Sequence, residues 1–99
     1  MYPKQVEIMR PLLRAIHGHG GSIVWSEMGD QIEKELADKF GLSDAARKAT
    51  RENINGKGKR VWRNDIQWAR KKCVEKGWLD GSIRNCWTLT IAGKSQIGV

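Results

Sequence analysis

A set of cationic and amide side chains recurs at three- and four-residue spacing in the second half of the chain. Its members are Arg60, Arg63, Asn64, Gln67 and Lys71. Arg can bond guanine O6 and N7, Asn and Gln can bond adenine N6 and N7, and Lys can neutralise phosphate. Because residues three and four apart share one side of a helix, these side chains would act together on a double-stranded nucleic acid.

The segment that carries these side chains is predicted to be a helix over about residues 59–76, ending at Gly77. At 100° per residue, its apolar side chains fall in one narrow sector opposite the polar set, namely Trp62, Ile66, Ala69 and Cys73. The N-terminal part of a recognition helix enters the major groove, so Arg63, Asn64 and Gln67 are expected to reach base edges.

Three further basic residues flank this helix and are expected to contact DNA. Lys57 and Lys59 belong to a glycine-rich stretch just before it, which would place them on phosphate rather than on bases. Arg84 lies in the turn of a predicted hairpin after it. The competing interpretation is a basic helix that is merely solvated, although such a face would more often alternate Lys with Glu.

The charge of the chain is strongly polarised. The net charge is +7, and residues 57–76 hold eight Lys or Arg against two acids, a local net charge of +6. Residues 27–44 hold six acids against two Lys, a local net charge of −4. A basic element of this kind favours a polyanionic partner. It leaves no wide apolar face for lipid, which argues against a membrane partner.

The remaining sequence predicts one domain over residues 1–99. A first helix follows Pro3, and Pro11 is expected to kink or divide it. Residues 22–25 are expected to be extended, and a second helix should run from an N-cap at Ser26 to Phe40. Ser43 is predicted to cap a short third helix over residues 44–50.

The C-terminal third changes to a strand-like pattern. Residues 53–58 form a turn-rich connector, residues 78–80 and 86–90 are predicted to form a hairpin, and Thr90 is predicted to cap a last helical turn. The order of elements predicts an α+β fold, a winged helix-turn-helix with a helical core and a C-terminal β-hairpin wing.

Several short stretches along almost the whole chain resemble the N-terminal domain of Mrr-type restriction endonucleases. They are residues 9–13 (MRPLL), 40–43 (FGLS), 68–70 (WAR), 77–79 (GWL) and 87–93 (WTLTIAG). The resemblance implies a winged helix that recognises DNA, typically modified DNA. It also implies a separate C-terminal nuclease domain of the PD-(D/E)XK type, so that this chain would bind DNA without cutting it.

Other reactive side chains give weaker signals. His17 and His19 lack metal-ligand spacing, and no metal or cofactor is predicted. Glu33 and Glu35 with Lys34 could be mistaken for nuclease residues, but the acids of their helix are expected to face water. No catalytic residue or small-molecule substrate is predicted. The two cysteines, Cys73 and Cys86, are expected to be small buried residues of a cytoplasmic protein.

The tryptophans leave a choice open. Trp62 and Trp87 are expected in the core, since the first lies in the apolar sector of its helix and the second alternates in phase with Leu89. Trp25, Trp68 and Trp78 fit either a core or an aromatic pocket for an extruded or methylated base.

The sequence therefore favours a double-stranded DNA-binding module. It would recognise modified (methylated) or specific DNA as the targeting domain of an Mrr-like restriction system. A nuclease domain or subunit would be its partner. The alternatives are a free-standing transcription regulator, a winged helix that binds protein through its acidic helix, and a binder of structured RNA. A steep loss of affinity with salt would separate nucleic-acid binding from protein binding.

Overall fold

The computed structural model describes residues 2–52 and 58–99. In these ranges the helices are α1 (Gln5–Gly18), α2 (Trp25–Lys39), α3 (Asp44–Lys48), α4 (Val61–Glu75) and α5 (Ile91–Gln96). The strands are β1 (Ser22–Val24), β2 (Thr50–Glu52), β3 (Gly58–Arg60), β4 (Leu79–Asp80) and β5 (Cys86–Leu89). The predicted α+β fold, with a helical core and a C-terminal hairpin, is confirmed, and its element order is compatible with a winged helix.

The hairpin of β4 and β5 is extended to a three-stranded antiparallel sheet by β1, in the order β1-β5-β4. Ile23 of β1 lies opposite Trp87, and Leu79 of β4 lies opposite Leu89. The side chains of these four residues are buried on one face of the sheet, as alternation along a half-buried strand requires. The central position of β5 therefore fixes the wing to the helical core.

The core is formed mainly by one side of α1 and the predicted apolar sector of α4. The buried side chains of these helices are Ile8, Met9, Leu12, Leu13, Ile16, Trp62, Ile66, Ala69 and Cys73. The indole Nε1 of Trp62 donates a hydrogen bond to the backbone carbonyl of Glu33 at 3.0 Å, so this large ring is buried without an orphaned N–H. The predicted core roles of Trp62 and Trp87 are confirmed.

The predicted capping residues at three helix ends are confirmed as well. The hydroxyl of Ser43 accepts a hydrogen bond from the N–H of Ala46, and that of Thr90 accepts one from the N–H of Gly93. Gly77 follows α4 with a φ of +77°, the left-handed conformation that ends a helix most readily without a Cβ.

Three boundaries differ from the sequence expectations. Pro11 does not divide α1, which continues to Gly18 because the buried side of the helix packs on both sides of the proline. The connector before α4 contains β2 and β3, which pair with each other. This pairing holds residues 58–60 extended and delays the start of α4 to Val61. The α2 helix begins at Trp25, one residue before the predicted cap.

Burial separates the two cysteines. The Cys73 thiol is fully buried in α4, and this burial raises its pKa to about 12. Cys86, which was also expected to be buried, is half-buried at the start of β5.

We expect native-state alkylation at pH 8 to modify Cys86 and spare Cys73, since only the thiolate reacts and the Cys73 thiolate is both inaccessible and scarce. Mass spectrometry of the iodoacetamide-treated protein, before and after unfolding in guanidinium, measures this difference. Equal labelling of both thiols in the folded protein would contradict the burial of Cys73.

No helix in the described part of the chain is both long and apolar enough to cross a membrane.

Candidate nucleic-acid interface

The outer side of α4 presents amide and ammonium groups to solvent. Asn64 is half-buried, while Gln67 and Lys71 are exposed, on the side away from the buried apolar sector. Asn64 and Gln67 together line two shallow concavities of about 240 and 420 Å³ on this helix. Within the described ranges neither side-chain amide has a hydrogen-bond partner, so both are available to a ligand.

Trp68 lies beside these groups and is 43% exposed, which makes it the least buried of the five tryptophans. The Nζ of Lys71 lies 4.7 Å from the centre of its ring. A cation over an indole face is held by electrostatic attraction of about 0.5–1 kcal/mol at an exposed site. Trp68 thus belongs to the exposed surface of α4 and not to the core.

Arg60 and Arg63, by contrast, are paired inside the molecule. The Nη2 of Arg60 lies 2.6 Å from Oε1 of Glu33, and the Nε of Arg63 lies 2.6 Å from Oε2 of the same carboxylate. The Glu33 side chain is completely buried, and those of the two arginines are about one-third exposed, at 32% and 33%. One buried carboxylate of α2 therefore holds two cations at the start of α4.

Further contacts fix Arg63 in this position. Its Nη2 is 3.1 Å from Oδ1 of Asp30, and its guanidinium carbon lies 5.2 Å from the centre of the Trp25 ring. The guanidinium crosses α2 at Gly29, where a Cβ would lie only 2.7 Å from Nη2. A glycine in the second turn of α2 thus leaves the room that this close approach needs.

The burial of Glu33 corrects the expectation that the acids of this helix face water. Burial raises the pKa of the Glu33 carboxyl above its ordinary value, and the nearby guanidinium groups of Arg63 and Arg60 oppose that rise. The sequence did hold a signal for this site. Glu33 lies one residue after Ile32 and three before Leu36, both of which are in the core, so it shares the buried side of α2.

A cleft of about 440 Å³ separates α4 from the tip of the hairpin. Gln67 and Arg70 line it from the helix, Ser82 and Arg84 line it from the hairpin, and Trp25 and Trp87 are also part of its lining. Arg84, a predicted DNA contact, is exposed at this cleft. Arg70 was not among the predicted site residues.

The hairpin tip is anchored to the start of α2 through Asn85. Its side-chain carbonyl accepts a hydrogen bond from the Ser26 N–H at 3.0 Å, and its amide donates one to the Ser26 hydroxyl at 2.7 Å. Its backbone carbonyl accepts a third bond, from the N–H of Trp25. The hairpin side of the cleft is therefore held in place from α2.

Two predicted phosphate contacts cannot be located on this surface. Lys57 lies outside the described residues, as does most of the predicted connector over residues 53–58. Only the backbone of Lys59 is described, in β3, where it pairs with Arg51. Their roles stay predictions.

The sequence profile of the Mrr N-terminal domain family matches residues 6–97. The chain belongs to this family. The match confirms the resemblance found in the sequence and associates the chain with Mrr-type restriction systems. Comparison with curated proteins and comparison with solved structures give no match. The roles of individual side chains in this Mrr N-terminal domain therefore have to be argued from its own geometry.

Proposed function

We propose that this Mrr N-terminal domain binds double-stranded DNA, with the start of α4 in the major groove. The observation that carries the proposal is the unpartnered pair of amides, Asn64 and Gln67, on the solvent side of a helix whose opposite side is buried. Each amide offers a donor and an acceptor that match the N6 and N7 edge of adenine. Lys71, one turn further along α4, would meet phosphate.

The contacts of Arg60 and Arg63 narrow the set of base-reading residues. If either guanidinium moved away to bond guanine, it would leave the buried Glu33 carboxylate with one cation fewer, which costs about 2–4 kcal/mol. We therefore assign Asn64 and Gln67 as the readers of base edges. Arg60 and Arg63 are positioning residues that join α4 to α2 through Glu33.

The acidic helix α2 gives little support to a protein-binding function. Three of its acids already contact basic side chains of this chain. The buried Glu33 pairs with Arg60 and Arg63, Asp30 on the surface pairs with Arg63, and Oε2 of Glu35 lies 2.7 Å from Nε2 of His19. These intramolecular partners account for much of the acidity that the alternative assigned to a partner surface.

Family membership supports a targeting role for this DNA binding. In the proposed system the domain finds specific or methylated duplexes, and cleavage belongs to a separate nuclease domain or subunit. The binding partner is thus duplex DNA, and no cofactor is needed because hydrogen bonds and ion pairs supply the recognition.

We expect Asn64→Ala and Gln67→Ala each to weaken binding to the preferred duplex by about 1–3 kcal/mol and binding to unrelated DNA very little. Both side chains project from the first half of α4 and neither belongs to the buried core, so thermal stability should change little. The preferred duplex is first selected from random libraries with and without cytosine methylation, and affinities are then measured by fluorescence anisotropy.

Glu75→Ala, at the far end of α4, is the matched control because it truncates an exposed polar side chain of the same helix. It should leave the ratio of specific to non-specific affinity unchanged. Absence of salt-dependent duplex binding by the wild type would overturn the proposed function itself. Retention of the full specificity ratio by both amide variants would overturn the assignment of the readers.

A further inference from the structure

The cleft between α4 and the hairpin holds a guanidinium without an anionic partner. Arg70 is half-buried, and within the described ranges no carboxylate lies at ion-pair distance from it. Its Nε is buried without a hydrogen-bond partner, and its Nη2 reaches to 3.5 Å from the position that a Cβ would take on Gly81. Arg70 thus extends from α4 towards the hairpin with its charge uncompensated, unlike Arg63.

The other polar groups of the cleft are compatible with an anion. Arg84 adds a second guanidinium from the hairpin, Ser82 adds a hydroxyl, and Gln67 adds an amide. The neighbouring Asp80 is exposed, is not part of the lining, and accepts a hydrogen bond from the N–H of Ser82 at 2.8 Å. A guanidinium fork binds phosphate through two parallel charge-assisted hydrogen bonds, and a hydroxyl can donate a further one.

The aromatic rings beside the cleft are closed to a nucleobase. Trp25 and Trp87 stack on each other with their centres 4.1 Å apart and their planes 9° from parallel. Arg63 lies over Trp25 and Arg70 lies over Trp87. Since the rings already have a stacking partner and a cation, an inserted base would have to displace one of them. This argues against an aromatic base pocket in this cleft and for a ligand that needs hydrogen-bond donors alone.

We propose that this cleft holds a phosphate of the DNA backbone, with Arg70 as the principal ligand and Arg84 and Ser82 closing it from the hairpin. The inference rests on the proposed function and extends it. Gln67 lines both the cleft and the concavities shared with Asn64, so a strand leaving the base-reading surface would pass directly into the cleft. The hairpin would then fix the register of α4 on the duplex without reading sequence.

The test compares Arg70→Gln, Arg70→Lys and Arg84→Gln with wild type in salt titrations on the preferred duplex and on an unrelated one. Loss of one phosphate contact lowers the slope of log affinity against log salt by about 0.9. Arg70→Gln should show this decrease on both duplexes, so that its affinity deficit relative to wild type shrinks about threefold between 50 and 200 mM salt. Arg70→Lys keeps the charge and should keep most of the slope.

A matched control removes one exposed cation elsewhere. Lys94→Gln, on α5, should leave the slope unchanged. Thermal unfolding of every variant shows whether the fold is intact, since Arg70 also packs on Trp87. If Arg70→Gln has lost stability, Arg84→Gln carries the test, because Arg84 is exposed and its removal should lower the slope without affecting folding.

The contact can be located with duplexes that carry one neutral methylphosphonate at successive positions. At the contacted position, the methylphosphonate should lower the affinity of the wild type. It should not lower the affinity of Arg70→Gln below the value that this variant has on the unmodified duplex, because both changes remove the same interaction. Two results together would overturn the proposal: affinity losses from methylphosphonate and from Arg70→Gln that add fully at every position, and salt slopes of Arg70→Gln and Arg84→Gln equal to that of wild type. A lower specificity ratio with an unchanged slope would make Arg70 a base reader and would also overturn it.

A free anion is the remaining source of phosphate. If 1 mM inorganic phosphate shifts the Arg70 Nε–H resonance while the DNA salt slope of Arg70→Gln equals that of wild type, the cleft binds a small anion and the backbone assignment is wrong. All of these failures leave wild-type duplex binding intact, which distinguishes them from failure of the proposed function.

Discussion

Trp87→Ala is expected to destabilise the domain by about 3–5 kcal/mol, the usual cost of removing a large aromatic ring from a core. The Trp87 side chain is 4% exposed and lies on the central strand of the three-stranded sheet, opposite Ile23. Its ring stacks on Trp25, and Arg70 covers it. Its removal would leave a cavity at the point where β1, the hairpin and α4 meet. Equilibrium unfolding in urea, followed by circular dichroism, measures the loss.

Trp87→Phe is the control, since it retains an aromatic ring and should recover a large part of the lost stability. A loss of several kcal/mol is comparable to the whole stability of a domain of this size. DNA binding of the alanine variant should therefore fail because the protein unfolds. A folded Trp87→Ala variant with a selective defect in DNA affinity would contradict the core assignment and reinstate Trp87 as a base contact.

Helix ends and the buried side of α4 depend on local sequence patterns and could be predicted. The apolar period in α4 identified Trp62 and Ile66 as core residues, and hydroxyl side chains identified the starts of α3 and α5. The pairing of β2 with β3 could not be predicted. These strands have three residues each, and their residues, mostly polar or charged, show no alternation of apolar side chains.

The site could be predicted only in part, because its pairing is set by tertiary contacts. Spacing along α4 placed Arg63 on the same outer side as Asn64 and Gln67, and periodicity could not reveal that α2 passes close enough to neutralise it. Arg70 was not predicted as a site residue because its role, too, depends on a tertiary contact. Its position on the edge of α4 gains meaning only once the hairpin lies across from it.

Arg63→Met is expected to lower the free energy of unfolding at pH 7 by about 2–4 kcal/mol, mainly because it leaves the buried Glu33 carboxylate with one cation fewer. The estimate lies below the full cost of breaking a buried pair because one-third of Arg63 is exposed and Arg60 stays in contact with the carboxylate. Met keeps a flexible, unbranched side chain at this position while removing the guanidinium that lies over Trp25. Urea unfolding measures the change.

The double variant Arg63→Met with Glu33→Gln isolates the charge. A neutral amide at position 33 removes the unpaired carboxylate, so the double variant should be more stable than Arg63→Met alone. The difference between the double variant and the sum of the single changes gives the interaction energy between the two side chains. If Arg63→Met is as stable as wild type and loses sequence preference instead, Arg63 is a base reader, as the sequence alone indicated.

The dependence on pH provides a second and independent test of the same contact. Arg63 opposes the rise that burial causes in the pKa of Glu33, so its removal should raise that pKa further. The folded state then binds the proton more tightly than the unfolded state, in which the pKa of a Glu is about 4.3. The penalty of the unpaired carboxylate is therefore fully present above the folded-state pKa and disappears as the pH falls below the unfolded-state value. We expect the stability deficit of Arg63→Met relative to wild type to be largest at pH 7 and to shrink at pH 4, whereas the deficit of the double variant, which has no carboxyl at position 33, should not shrink. An Arg63→Met deficit of equal size at both pH values would show that lost packing on Trp25, and not the charge of Glu33, accounts for it.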